Sequence, residues 1–344
     1  MNINKTPVNT CVHYEINDFV LNDIILDKKS EKFENFNLNN CKLTKLNKIK
    51  LQKNVISEEL FNQTLNSCNF NNKIIAKDGF SEIIFNFDKN NNNLVANLEI
   101  ELKENQTSDI CVKFLSNTES FNNSVINVIG KQNSSLNLTI FSNFEKESTN
   151  LITINQKLSQ NCNFNLTIVD FSNKTSVYNV FTNQNKENNN SKFNCVYFEN
   201  NQTFLDLNIF NKIYGVNNSC EINSVGVLND SAKKNFKGTI SFEKGAKKSK
   251  GTENEFCMLL SKNAKSKALP MLLCLEEDVD GAHSSSIGKI DNKQLFYLMS
   301  RGLSYSDSLK LIVKAKISNV INLINNEQIK NEIIDVINRK LDLW

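Results

Sequence analysis

Arginine is almost missing from this 344-residue chain: only Arg301 and Arg339 occur, both near the C-terminus. Proline (2), histidine (2) and tryptophan (1) are as scarce, and glycine reaches only 10. Each shortage excludes something. A β-rich enzyme acting on polysaccharide needs clustered carboxylates with Arg or Lys on one face. Here the acidic cluster is 276–280, and no strand-like run sets paired Asp beside Arg. Nine cysteines are present, at 11, 41, 68, 111, 162, 195, 220, 257 and 274, and none forms a C-x-x-C pair. That odd, scattered set argues against a disulfide framework and against a self-contained zinc or ferredoxin-type site. Most of these cysteines alternate with polar residues and read as small buried hydrophobes in a reducing compartment.

Long apolar runs are missing too. None approaches the roughly 18 residues that span a bilayer. The N-terminus shows no apolar h-region and no small-residue cleavage site. The expectation is a cytoplasmic chain with no membrane partner. Triplets such as Asn137-Leu138-Thr139 and Asn165-Leu166-Thr167 then follow from Asn and Thr abundance and are not glycan acceptors. Net charge is +3 with 22% charged residues, so nothing points to nucleic acid. The basic loop with Lys244, Lys247, Lys248 and Lys250 lacks interleaved aromatics and reads as a solvated turn. No P-loop, G-x-G-x-x-G, H-E-x-x-H or G-x-S-x-G occurs, so ATP hydrolysis would fall to a partner. The abundant Asn, Ile and Lys read as coding bias toward AT-rich codons.

What the chain does have is period two. Residues 1–75 are irregular and read as an N-terminal cap, with one short helix opening at Ser57–Phe61. From 76 to 290, apolar residues alternate with polar ones. Leu94, Ala96, Leu98, Ile100 and Leu102 form one run; Leu136, Leu138 and Ile140 another; Phe164, Leu166 and Ile168 a third. Such runs mark half-buried strands, recurring without a helical interruption. A sandwich, a barrel and a β-solenoid all fit. The length of the region and the scarcity of Pro and Gly favour a solenoid, with Asn taking left-handed turn positions. No clean short repeat is readable.

Residues 291–344 switch to helical period. Asp291 and Gln294 suggest a capping box, and Gly302 a stop. A second helix, from about 305 to 324, carries Leu309, Ile312, Val313, Ile317, Val320, Ile321 and Ile324 on one face. A third begins near Asn326 with Ile329, Ile333, Val336, Ile337 and Leu341. This apolar face must pack on the β region, on itself or on a partner.

His283 is the sharpest candidate for chemistry. It follows the acidic run Glu276-Glu277-Asp278-Val279-Asp280 and precedes Ser284-Ser285-Ser286. Imidazole is a good iron ligand that nearby carboxylates can orient. After it come Ile287-Gly288-Lys289-Ile290-Asp291 and Leu295-Phe296-Tyr297-Leu298-Met299-Ser300-Arg301-Gly302. Upstream stand Phe236-Lys237-Gly238-Thr239-Ile240, Gly245-Ala246, Leu259-Leu260-Ser261 and Pro270. In this order the elements resemble the C-terminal signature of the SufB/SufD family, scaffold subunits of the SUF iron–sulfur cluster assembly machine.

The resemblance implies a right-handed parallel β-helix as the core. It implies a non-catalytic scaffold that pairs with a SufB-like paralogue, or with a second copy of itself, and docks a SufC-like ABC ATPase. A transient iron–sulfur cluster would form at the subunit interface, with none held by this chain alone. His283 is then the candidate metal ligand, with Cys274 and Cys257 as lesser ones. SufB-like chains carry Glu directly after the motif histidine, where this chain has Ser284. They place a sulfur-accepting Cys where this chain has Glu255. Both positions favour a SufD-like subunit, and they count as supporting residues of the site. A SufB-like homodimer is the first alternative, a polysaccharide-active β-helix the second. The docking surface would comprise Leu295, Phe296, Tyr297, Leu298, Met299, Arg301, Gly302, Leu309, Ile312 and Val313.

Overall fold

The alternating runs form strand after strand of nine to eleven residues, and successive strands go to opposite sheets. The computed structural model describes residues 2–10, 12–17, 19–20, 31–49, 58–75 and 79–342. Cys11 and Ser57 lie outside them. Two short strands near the start, β1 (Asn2–Ile3) and β2 (Phe19–Val20), pair with each other. The first large sheet carries β6 (Gly79–Phe87), β8 (Thr107–Ser116), β10 (Ser135–Phe144), β12 (Asn163–Phe171), β14 (Asn190–Glu199), β16 (Ser219–Leu228), β18 (Ser249–Leu259) and β20 (Val279–Lys289). The second carries β5 (Phe70–Ile75), β7 (Asn93–Leu102), β9 (Ser120–Gly130), β11 (Ser148–Leu158), β13 (Lys174–Gln184), β15 (Phe204–Ile213), β17 (Lys233–Phe242) and β19 (Lys265–Cys274). All these neighbours run parallel. The chain is a parallel β-solenoid of about 7 turns, two strands to a turn. At one end β3 (Phe36–Asn39) and β4 (Lys42–Lys45) close the sheets with antiparallel pairing.

Inward side chains fill the bore. Phe85, Phe114, Phe164, Phe193, Tyr178 and Ile209 belong to one continuous buried cluster. The parallel register stacks like on like, so Leu138 lies beside Leu166 and Ile140 beside Ile168.

Asparagine has a structural use here beyond coding bias. Asn105, Asn133, Asn161, Asn188 and Asn217 occupy equivalent turns, each left-handed with φ between 57 and 58°. Asn tolerates this region better than other non-Gly residues. From Asn133 upward, each side-chain amide donates to the Asn one turn below, at 2.8, 2.9, 3.0 and 2.8 Å going up the stack. The ladder replaces the glycines the sequence lacks.

Helix α1 (Glu58–Ser67) lies on the second sheet, where Gln63 accepts from Asn123 at 2.7 Å. The N-terminal segment crosses the same face. Asn4 donates to Asp206 at 2.7 Å and accepts from Lys237 at 3.0 Å through its carbonyl, sealing the Asp206–Lys237 ion pair. Helices α2 (Asn292–Ser300), α3 (Tyr305–Ile321) and α4 (Glu327–Asp342) follow β20. Their buried stripes share one cluster with Phe141, Val169, Phe171, Val196 and Phe198 on the outer face of the first sheet. The apolar face of the module therefore packs on the solenoid. Asp291 caps α2 by accepting from the N–H of Lys293 at 2.8 Å, one residue short of the capping-box position, and Gly302 takes φ +96° as the stop.

Candidate functional site

One end of the solenoid stays open. β20 and β19 terminate their sheets, and each has a strand on one side only. β20 is exposed along nearly its whole length. Its facing is set by β18, where Gly251, Glu253, Glu255 and Cys257 are buried while Lys250 and Asn254 are exposed. The register pairs Glu253 with His283, Glu255 with Ser285 and Cys257 with Ile287. His283 and Ser285 therefore continue the inward rows at the mouth of the bore. Ser284 faces outward, and its hydroxyl donates to Asn254 at 2.8 Å. Asn254 donates in turn to Asn223 at 3.2 Å, and Asn223 to Asn194 at 3.3 Å, so Ser284 ends an amide ladder.

Just inside the mouth sits a group of charged side chains. Lys234, on β17, forms an ion pair with Glu255, and both side chains are 0% exposed. The ammonium lies 5.7 Å from the ring centre of Tyr197 and 5.5 Å from that of Phe236, a cation–π enclosure. Tyr197 fits because residue 226 is glycine: a Cβ there would come within 2.2 Å of the ring. The second oxygen of Glu255 accepts from Ser285 at 2.7 Å. One buried carboxylate thus joins β17, β18 and the edge strand β20.

Glu253 lacks such support. It is fully buried, and neither carboxylate oxygen has a hydrogen-bond partner of ordinary geometry. Burial pushes its carboxyl up to about 8, against a weaker opposing pull from the backbone of Ile240 and Met271. Cys257 is buried as well. Burial raises its thiol, opposed by Lys234, Ser266 and Tyr197, which makes it a poor thiolate source.

A second surface lies on the helices. A groove of about 520 Å³ between α2 and α3 is lined by Tyr297, Leu298, Leu311, Ile312, Ala315 and Lys316. Phe296 beside it is 74% exposed, Tyr297 55% and Leu311 48%.

The family described as SUF system FeS cluster assembly, SufBD core domain, matches residues 85–316, about two thirds of the chain. The chain belongs to the SufB/SufD family. It is similar to the iron–sulfur cluster assembly protein SufD of Bacillus subtilis, 36% identical over 116 residues, which is 34% of this chain and 26% of that protein. SufD of Escherichia coli is 28% identical over 115 residues, covering 33% and 27%. A SufBD family protein of Pyrococcus horikoshii is 41% identical over 91 residues, covering 26% and 20%. The matched stretch is thus about a quarter of the length of these relatives. Within the family, the chain is SufD-like.

The structure brings some of the sequence-predicted residues together and separates others. His283 lies exposed on β20, next to the strand that carries Glu255 and Cys257. Cys257 and Cys274 lie on different sheets; Cys274 is exposed at the end of β19, in register with Phe242. Among the described residues, no three His, Cys, Asp or Glu side chains gather as a metal site would. In the expected docking surface, Ile312 and Val313 are buried with the first sheet, and Leu309 and Leu295 are only 9% and 8% exposed, because the helices need that stripe to pack. Phe296, Tyr297 and Met299 point out, and Leu311, not singled out from sequence, joins them. Glu253, Lys234 and Ser285 were also missed. For Glu253 and Lys234 the signal was present, since each occupies an inward position of its strand, where a charge is out of place; Ser285 carried none.

Proposed function

We propose that this chain is a SufD-like scaffold subunit of the SUF iron–sulfur assembly complex. The observation that carries the reading is the asymmetry of the solenoid. One end is closed by β3 and β4, while β19 and β20 end the other with open edges and place His283 on the last strand. An open edge is a template for another strand. A SufB-like solenoid would pair along it, with a nascent cluster held transiently between the chains and His283 as this chain's ligand. Ser284 and Glu255 support the SufD role over a SufB-like homodimer. The α2–α3 surface around Phe296 and Tyr297 would dock the SufC-like ATPase, which supplies ATP hydrolysis to an otherwise non-catalytic scaffold. Such a complex works in the cytoplasm, where the eight described cysteines, none of them in a disulfide, stay reduced.

The test is anaerobic co-purification with the SufB-like and SufC-like subunits, followed by absorption spectroscopy of the complex. His283→Ala is expected to keep the complex and lose cluster absorption. Phe296→Ala with Tyr297→Ala is expected to lose the ATPase alone. If wild-type chain recovers neither partner, the scaffold reading fails. Unchanged absorption in His283→Ala removes only the site.

A further inference from the structure

We infer that Glu253 is a second ligand, beside His283, for the divalent iron that passes through the open end. The inference rests on the reading of His283 as the metal-facing residue. It starts from an imbalance. At this end of the bore, Lys234 is paired with Glu255, and both side chains are 0% exposed. Glu253 is just as buried, with no paired cation and no hydrogen bond of ordinary geometry to either oxygen; the backbone N–H groups of Ile240 and Met271 give it only a weak pull. Burying a carboxyl group without a partner is costly, and such groups are kept where something else compensates.

Position says what that is. Glu253 lies on β18, and the strand beyond it in the first sheet is β20, which sets His283 beside it in register and on the same face. Across the bore its carboxylate rests against Gly238, where an added Cβ would stand 3.0 Å from Oε2. Further down the bore the space is filled by buried apolar side chains. An occupant therefore enters from the mouth, and it is cationic. Carboxylate oxygen and imidazole nitrogen are both good donors to ferrous iron. Two donors from one chain leave coordination positions open for sulfide, water or a ligand of the partner. This also accounts for the lack of a three-ligand cluster among the described residues.

The experiment is anaerobic titration of the full chain, without partners, with Fe²⁺ and with Co²⁺ read by its visible absorption. Wild type is expected to bind one ion. Glu253→Gln and His283→Ala are each expected to weaken binding about tenfold or more, and Glu253→Asp to recover part of it. Glu253→Gln is isosteric, and an unchanged or raised melting temperature shows that its fold is intact. Wild-type affinity in Glu253→Gln overturns the inference; if His283→Ala is weakened in the same series, the His283 reading survives it. Weakening by Glu253→Gln with no effect of His283→Ala sustains Glu253 and removes the His283 reading. Failure of the wild-type chain to bind either ion also overturns the inference, and leaves a cationic side chain of the partner as the occupant.

Discussion

Lys234 and Glu255 face each other across the bore of the solenoid, from opposite sheets, as an ion pair with no solvent exposure. Glu255 holds the edge strand as well, through Ser285 at 2.7 Å. Removing one partner strands a charge in a dry interior, which costs about 3–5 kcal/mol. Lys234→Met is therefore expected to lower stability by that order, measured by urea unfolding. Lys234→Met combined with Glu255→Leu is expected to recover most of the loss, because replacing a whole buried pair by apolar groups is close to neutral. The double variant also loses the Ser285 contact, so hydrogen exchange on β20 should rise while the rest of the solenoid stays protected.

Glu253 gives the protein a pH dependence with a definite sign. The folded carboxyl titrates at about 8, against 4.5 for an ordinary glutamate. Between those values the folded state keeps a proton that the unfolded state has released. The native state binds more protons there, so stability falls as pH rises from about 4.5 to about 8. Below that window there is no penalty, and above it the penalty is constant, on the order of a few kcal/mol. Glu253→Gln is expected to be more stable than wild type at pH 8 and nearly equal to it at pH 4.5. Parallel melting curves of the two proteins across this range would contradict the assignment.

Much of this fold is legible in the sequence because a solenoid strand is buried on one face at every turn. Leu136, Leu138 and Ile140 announce β10 by alternation alone, and Ile312, Val313, Ile317 and Val320 announce the buried face of α3. The repeat itself is hidden. One turn takes 28 residues at Asn137–Asn165 but 30 at Glu255–Ser285, and inward positions accept Leu, Phe, Cys, Ser or Glu. Only the three-dimensional register aligns them. The same holds at the mouth. His283 stands out by rarity, whereas Glu253 becomes notable only when its lack of partners is seen. The inward Lys234 needs the whole enclosure of Tyr197, Phe236 and Glu255 to make sense.

The asparagine ladder offers a separation of two effects at one position. Asn161 adopts φ 58°, donates to Asn133 at 2.9 Å and accepts from Asn188 at 3.0 Å. Asn161→Ala loses both bonds and places a Cβ residue in the left-handed region, at an expected cost of about 1–2 kcal/mol. Asn161→Gly loses the same bonds but relieves the backbone, so it should cost less. Thermal unfolding of the two variants gives the backbone contribution as their difference. Equal losses would mean that the amide ladder, and not the turn conformation, selects Asn.

Helix α4 lies beyond the residues that match the family core, 85–316, yet it covers the outer face of the first sheet. Ile329, Ile333, Val336, Ile337 and Leu341 are all buried there, and Glu332 pairs with Lys113 on β8, which also holds Glu82 at 2.7 Å. Ile333 is 0% exposed and lies in the middle of the stripe. Ile333→Val is expected to cost about 1 kcal/mol and Ile333→Ala about 2–5 kcal/mol. Ile333→Asp buries a charge with no partner, so α4 is expected to leave the sheet, uncovering Phe141, Phe171 and Phe198. A patch of that kind binds hydrophobic dyes and promotes association. Dye fluorescence and light scattering should therefore rise in Ile333→Asp while the β-sheet circular dichroism of the solenoid persists. If the β signal collapses with the helix, α4 is part of the folding unit of the solenoid and not a cover laid on it.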